Sequence, residues 1–325
     1  MQSAVVHTDK ADSAAAGREL GERIAAAFAG GPPDAVVVFA SPRYRPAELL
    51  GELQASCRPD VLVGASSAGE FTRTVRGEGM ACALALRGRD MAFAAGLGTG
   101  LRRDPARAAG AIVAGFRGPA DGRFPHRCAL VMTDALAGHA EELVEQLTLA
   151  TAGRYRFVGG GAGDNAQFRR TEVFFGARAL CDAAVALEIL SEHPIGIGVS
   201  HGWVPAGGGL RVTEADGMRL VGLNGLPAIE AFEEHAERTG QRLDRAAPIP
   251  FFLHNVLGID TGIGYRLRVP LAVDAGGAVL CAAELPVGAV VRIMHSSAGS
   301  AVAAAKRATA AALDALGGRK PRAAL

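Results

Sequence analysis

A pattern that occurs twice in the N-terminal half constrains the fold most: an apolar strand, a helix, a second apolar strand and a turn of small residues. In the first copy, Ala35-Val-Val-Val-Phe-Ala40 is a continuous apolar run, as a strand buried on both faces requires. A helix around Pro46 to Ala55, the strand Val61-Leu-Val-Gly64 and the turn Gly64–Glu70 complete it. The second copy has the strand Cys128–Met132, a helix from His139 to Ala150, the strand Arg156-Phe-Val158 and the turn Gly159-Gly-Gly-Ala-Gly-Asp-Asn165. Overlaid, Val36–Ser41 falls on Ala129–Asp134 and Val63-Gly64 on Val158-Gly159. Repetition at this length reads as duplication with a pseudo-symmetric core, not as a short-period solenoid.

Strand-like segments follow each turn. Met80–Leu86 and Met91–Leu97 flank the polar connection Arg87-Gly-Arg-Asp90, which predicts a β-hairpin. Glu172–Phe175 and Ala183–Leu190 echo it, so the repeats span residues 34–97 and 127–190. Helices are predicted from Ser13 to Ala29, with Asp12 or Ser13 as cap, and from Asp104 to Phe116. Past residue 190 come a strand Ile195–Ser200 leading into His201-Gly-Trp203, a strand Leu210–Thr213 and a helix Pro227–Arg238. Short strands near Arg266–Val269, Val279–Ala282 and Val290–Met294 precede an Ala-rich helix from Ala298 to Leu316. Arg322-Ala-Ala-Leu325 reads as the apolar start of another strand, so the native chain is expected to continue. The pattern implies a mixed α/β fold: duplicated strand–helix–strand units forming layered sheets flanked by helices, with a C-terminal α/β part packed against them.

Composition excludes several function classes. Apolar residues make up 49% of the 325 and charged residues 21%, ordinary for a globular protein. A net charge of +1 gives no electrostatic footing for nucleic acid. Lys10, Lys306 and Lys320 are the only lysines, and with abundant Ala and Gly this matches the codon bias of a GC-rich bacterial genome. There is no signal-peptide pattern, and the most apolar region, Ala275 to Met294, is broken by Glu284, Pro286 and Arg292, so no membrane span is expected. Five cysteines, four of them in apolar strand-like runs (Cys82, Cys128, Cys181, Cys281) and none in a CxxC pair, point to a reducing cytoplasm without disulfides or zinc.

Two small-residue turns are the main candidate sites. Gly159–Asn165 can bring backbone close to a ligand and present free N–H groups, with Gly160, Gly161, Asp164 and Asn165 lining it. It lacks both the GxxxxGK[ST] lysine and GxGxxG spacing, which argues against nucleotide binding. Ser66, Ser67 and Glu70 form the corresponding wall of the first copy. Ala-Ser-Ser-Ala-Gly is not a GxSxG elbow, so the hydroxyls read as ligand hydrogen-bond donors before they read as nucleophiles. His201-Gly-Trp203 pairs an imidazole with the only Trp and suits either a ligand contact, haem iron or plain packing. No HxxxH or HExxH pairing exists, so a multi-His metal site is not expected. Asp134, ending a buried strand, either orients a ligand or caps the next turn, and Arg73 or Arg169 is a candidate carboxylate clamp.

The segments Val36–Ser41, Val63–Glu70, Gly159–Asp164, Gly198–Trp203, Leu223–Ala228 and Leu285–Gly288, in that order, resemble the FIST family of bacterial sensory domains. The resemblance divides the chain into a FIST N-terminal sensory domain, residues 20–220, and a FIST C-terminal domain, residues 221–325, that stops before the family's closing strand. It departs from the family's acidic Leu-Asp-Gly-like motif at Asn224. Such domains accompany histidine kinases, chemoreceptors or cyclic-di-GMP enzymes and are thought to bind small ligands such as amino acids. By that resemblance the chain is a stand-alone cytoplasmic sensor that needs no cofactor, holds a small polar ligand between the two turns near His201 and Trp203, and acts on a separate signalling protein. Three alternatives remain: a haem-binding nitric oxide sensor using His201, an uncharacterised hydrolase or transferase, or a pure scaffold that binds no metabolite.

Overall fold

The computed structural model describes residues 1–325 apart from residues 29, 119–121 and 263. Two compact units emerge, the first comprising Met1–Ile197 with Ala312–Leu325 and the second Gly198–Ala311.

The first unit opens β1 (Gln2–Thr8), α1 (Ser13–Ala27), β2 (Ala35–Ala40), α2 (Pro46–Cys57) and β3 (Val61–Ser66). Asp12 caps α1 by accepting the Ala15 N–H at 2.8 Å. Ala29, predicted as the end of this helix, lies outside the described residues. A small two-stranded piece, β4 (Glu70–Phe71) with β5 (Arg76–Gly77), precedes β6 (Ala81–Arg87) and β7 (Met91–Thr99). Then come α3 (Pro105–Ala114), β8 (His126–Thr133), α4 (Ala140–Ala150), β9 (Arg156–Gly161), β10 (Val173–Phe175), β11 (Arg178–Leu180) and β12 (Ala183–Ser191).

These strands form two mixed sheets, β1-β6-β2-β3-β10-β11 and β7-β12-β8-β9. In each, a parallel β–α–β pair (β2 with β3, β8 with β9) has an antiparallel strand beside its first member, β6 beside β2 and β12 beside β8. Alternation sorts the buried side chains into layers. Val36, Val38 and Leu62 pack with Leu20, Ile24, Leu49 and Leu53 of α1 and α2. Ala129 and Val131 pack with Ile112, Leu143 and Leu147 of α3 and α4. The opposite faces, Val37, Val63, Leu130, Met132, Val185 and Leu187, share one core between the sheets. The layer order is therefore helix, sheet, sheet, helix, the mixed α/β arrangement that the duplicated pattern implies.

The hairpin predicted across 87–90 does not form. β6 pairs with β1 and β2, whereas β7 pairs with β12, so Arg87–Asp90 carries the chain from one sheet to the other. The connectivity β1-α1-β2-α2-β3-β6 then matches β7-α3-β8-α4-β9-β12 strand for strand. The turns are also shorter than predicted, because Gly64–Ser66 and Gly159–Gly161 are strand residues. No strand forms at Ile195–Ser200: Gly196 instead lies against the carbonyl of Ala312, where a Cβ would stand 2.0 Å away. Nor is there a strand at Arg322–Leu325.

The second unit contains β13 (Val204–Pro205), β14 (Leu210–Asp216), β15 (Arg219–Leu223), β16 (Leu226–Pro227), α5 (Ala228–Thr239) and α6 (Ile249–Phe252). It continues with β17 (Asn255–Asp260), β18 (Tyr265–Arg268), β19 (Pro270–Val273), β20 (Val279–Cys281), β21 (Val290–His295) and α7 (Ala298–Asp314), whose last residues belong to the first unit. Its antiparallel sheet packs Val212, Leu220, Leu257 and Ile293 against Phe232 of α5 and Phe251 and Phe252 of α6.

The five cysteines are free. Burial pushes the thiols of Cys57 and Cys82 up to about 11 and those of Cys128 and Cys281 to about 12, as for inert core residues. Cys181 departs from the reading of the sequence: it lies exposed, just beyond β11. Among the described residues no helix is long and apolar enough to cross a membrane, and no three His, Cys, Asp or Glu residues are placed to hold a metal ion.

Candidate functional site

The carboxyl ends of parallel strands are where open α/β sheets place ligands, because the chain diverges there and leaves a crevice. Here β3 and β9, one from each sheet, end on the same cleft of about 410 Å³. Its floor is apolar, made by Phe39, Ala65, Leu130, Met132 and Val158. Its rim is polar backbone and hydroxyl: Ser66, Ser67 and Ala68 on one side, Gly159, Gly160, Gly161 and Gly163 on the other, with Leu325 beside them. The two walls touch where Gly163 donates its N–H to the Ser66 carbonyl at 2.8 Å.

Ser66 is buried, and its backbone is tied to Glu172 by a 2.9 Å bond to that residue's carbonyl. Its Oγ accepts the Glu172 N–H at 3.0 Å, which leaves the hydroxyl proton for a ligand. Ser67 donates its hydroxyl to Glu70 Oε1 at 2.5 Å, and Glu70 Oε2 accepts the Met80 N–H at 2.9 Å. Glu70 is thus a buried brace behind the rim and does not itself line the cleft. Among the described residues no histidine bonds Ser66 or Ser67, and the group on the Ser67 hydroxyl is the Glu70 carboxylate.

Glycine lets the second wall approach its neighbours. At Gly159, with φ +155°, a Cβ would stand 1.8 Å from the Val131 carbonyl oxygen. Gly160 faces open space, with no atom within 4 Å of where a Cβ would be, and alternation puts it on the same side as Val158, toward the cleft.

Asp164 and Asn165 play different parts from Gly160 and Gly161. The buried Asp164 carboxylate accepts four backbone N–H groups, from Gln167 at 3.1 Å, Phe168 at 3.0 Å, Arg169 at 2.7 Å and Arg170 at 3.1 Å. Burial opposes its ionisation, but these donors outweigh burial and hold the carboxyl below its usual range. It organises the loop after β9. Asn165 adopts a left-handed backbone, φ 56°, with its Oδ1 buried and unpaired. Asp134 acts as a cap: Oδ1 accepts the Leu136 N–H at 3.0 Å and the Thr171 hydroxyl, and Oδ2 accepts the Asp182 N–H at 2.6 Å. Arg73 and Arg169 are exposed and neither is among the cleft-lining residues.

His201 and Trp203 belong to the second unit. The His201 imidazole is exposed, and Arg307 donates to the Ser200 hydroxyl at 3.3 Å and to the His201 carbonyl at 3.4 Å. An axial haem ligand needs an apolar slot for the ring, and an exposed strap held by an arginine does not fit that group.

Sequence reasoning missed the floor of the cleft. Phe39 carried a usable signal: it faces the inter-sheet side, as Val37 does, but is only half-buried at the end of an otherwise buried strand.

The model of the FIST N domain matches residues 34–226, and that of the FIST C domain matches residues 228–325. The chain matches none of the curated proteins with which it was compared.

Proposed function

Because the chain belongs to the FIST family, whose domains are associated with sensory signal transduction, we propose that it is a bacterial sensor that binds a small polar molecule such as an amino acid. The ligand occupies the cleft where β3 and β9 end, and occupancy is read in the cytoplasm by a separate kinase, chemoreceptor or cyclic-di-GMP enzyme. One observation carries this reading: the walls of the two repeats line a single cleft with an apolar floor and a polar rim. Its volume of about 410 Å³ suits a small metabolite. The Ser66 hydroxyl and the backbone of Gly161 fix the orientation and Gly160 leaves the room for the ligand, while Glu70, Asp164 and Asn165 shape the loops that carry them.

The test is a thermal-shift screen of amino acids, organic acids, nucleotides and haem, since a ligand of the folded state raises Tm by mass action. One class of small polar molecule is expected to raise Tm. Gly160→Val, which fills open space, abolishes the shift without lowering the unliganded Tm. Ser66→Ala weakens binding roughly fivefold, as loss of one hydrogen bond does. A flat screen, or a shift that survives Gly160→Val, overturns the reading.

A further inference from the structure

The two sheets differ at the outer edge of the second parallel strand. β3 is covered there by β10, which runs antiparallel with Val173 opposite Ala65, Phe174 opposite Gly64 and Phe175 opposite Val63. β10 follows β9 in the chain yet pairs with the other sheet, so β9 is the last strand of its own. The Ala162 N–H reaches the Thr133 carbonyl of β8 at 2.8 Å. Ladder alternation then turns the N–H and C=O groups of Gly159 and Gly161 away from β8, toward the open edge. Gly159, Gly160 and Gly161 are all exposed. Sheets ordinarily blunt such an edge with Pro, Lys or a bulge, and β9 has none there.

We propose that the β9 edge is a docking site for an extended apolar peptide of a partner protein, which adds antiparallel as a fifth strand of the sheet. This goes beyond the small-ligand reading and does not rest on it. The occupant is specified by the related edge. Val38 pairs with Gly64 and Val131 with Gly159, so Val158, Gly159 and Gly160 stand where Val63, Gly64 and Ala65 stand beside β10. There, large side chains sit opposite small ones: Val173 and Phe175 fill the core between the sheets and Phe174 the helix side. A second copy pairing through its own β9 brings glycine opposite glycine and fills nothing, whereas a Val-Phe-Phe-like segment supplies the missing bulk. Arg156, the exposed first residue of β9, marks the end where the C-terminal flank of an antiparallel peptide lies, so that flank is acidic.

The test is fluorescence anisotropy of labelled acetyl-Thr-Val-Phe-Phe-Glu-Glu-amide with the full chain and no added metabolite. Saturable binding is expected. N-methylation of the alternate peptide nitrogens that face β9 weakens it about tenfold. Arg156→Glu weakens this peptide and strengthens a Lys-Lys-flanked one. Absence of saturable binding, equal binding of the N-methylated peptide, or a dimer in sedimentation that the peptide dissolves overturns the proposal.

Discussion

Gly163 lies against Ala68 so closely that a Cβ would stand 2.9 Å from the Ala68 nitrogen and 3.0 Å from its Cβ. The contact sets the width of the cleft between the ends of β3 and β9. Gly163→Val therefore forces the walls apart and is expected to cost about 2 kcal/mol, the scale of overpacking in a filled site. Urea unfolding measures it, and a loss below about 0.5 kcal/mol means that the walls give way freely.

Glycines in register across the repeats predict a sharp contrast. A Cβ at Gly64 would stand 1.9 Å from the Val38 carbonyl oxygen and one at Gly159 1.8 Å from that of Val131, while Gly160 meets nothing within 4 Å. Gly64→Ala and Gly159→Ala should each destabilise by about 3 kcal/mol or more, and Gly160→Ala by less than about 0.5 kcal/mol. Equal melting temperatures for Gly159→Ala and Gly160→Ala would contradict the geometry.

The Asp164 carboxylate predicts acid sensitivity. Its folded pKa is held below the unfolded value, so it stabilises the fold above the ordinary carboxylate range and that contribution is lost as pH falls through the folded pKa. Asp164→Ala, which strips the acceptor from four N–H groups, should cost about 3 kcal/mol at pH 7 and flatten the pH dependence of Tm between pH 5 and pH 2. A variant as acid-sensitive as the parent refutes this.

In the second unit the buried His235 sits between Asn255 Oδ1, 3.0 Å from its Nε2, and the Arg238 guanidinium, 3.0 Å from its Nδ1. Arg238 can only donate, so the ring is neutral, with Nε2–H given to Asn255. Burial lowers the pKa, opposed by the Asn255 bond and aided by Arg238 and His295. A depressed histidine pKa contributes stability above about pH 6.5 that is lost as pH falls toward the folded value. Mild acid should lower Tm in the parent more than in His235→Gln, as read by scanning calorimetry at pH 7.5 and pH 5.

The duplicated strand–helix–strand units were legible because continuous apolar runs such as Ala35–Ala40 mark strands covered on both faces. Strand partnership was not legible. Arg87–Asp90 has good hairpin chemistry, yet no local signal tells which sheet Met91 joins; that follows from burial of β7 beside β12. β1 escaped notice as a half-exposed edge strand with a short apolar stretch, and β17 because Asn255 opens it. Apolar Ile195–Ser200 imitates a strand, but glycine serves close approach to helix backbone there, as it also does at Gly202, where a Cβ would stand 2.8 Å from the Ala301 backbone. At the cleft, the glycine and serine walls were readable as small-residue turns. The floor of Phe39, Leu130 and Met132, and the brace at Glu70, depend on how two sheets stack.

The crossing of β10 onto β3 also orders events during synthesis. Ala65 leaves the ribosome about a hundred residues before Val173, its partner on the outer edge. Until then the first sheet has an uncovered apolar margin, and the earlier repeat cannot complete itself alone. Residues 1–99 expressed by themselves should therefore aggregate, and productive folding should be slow, gated by the arrival of Val173–Phe175 late in the chain.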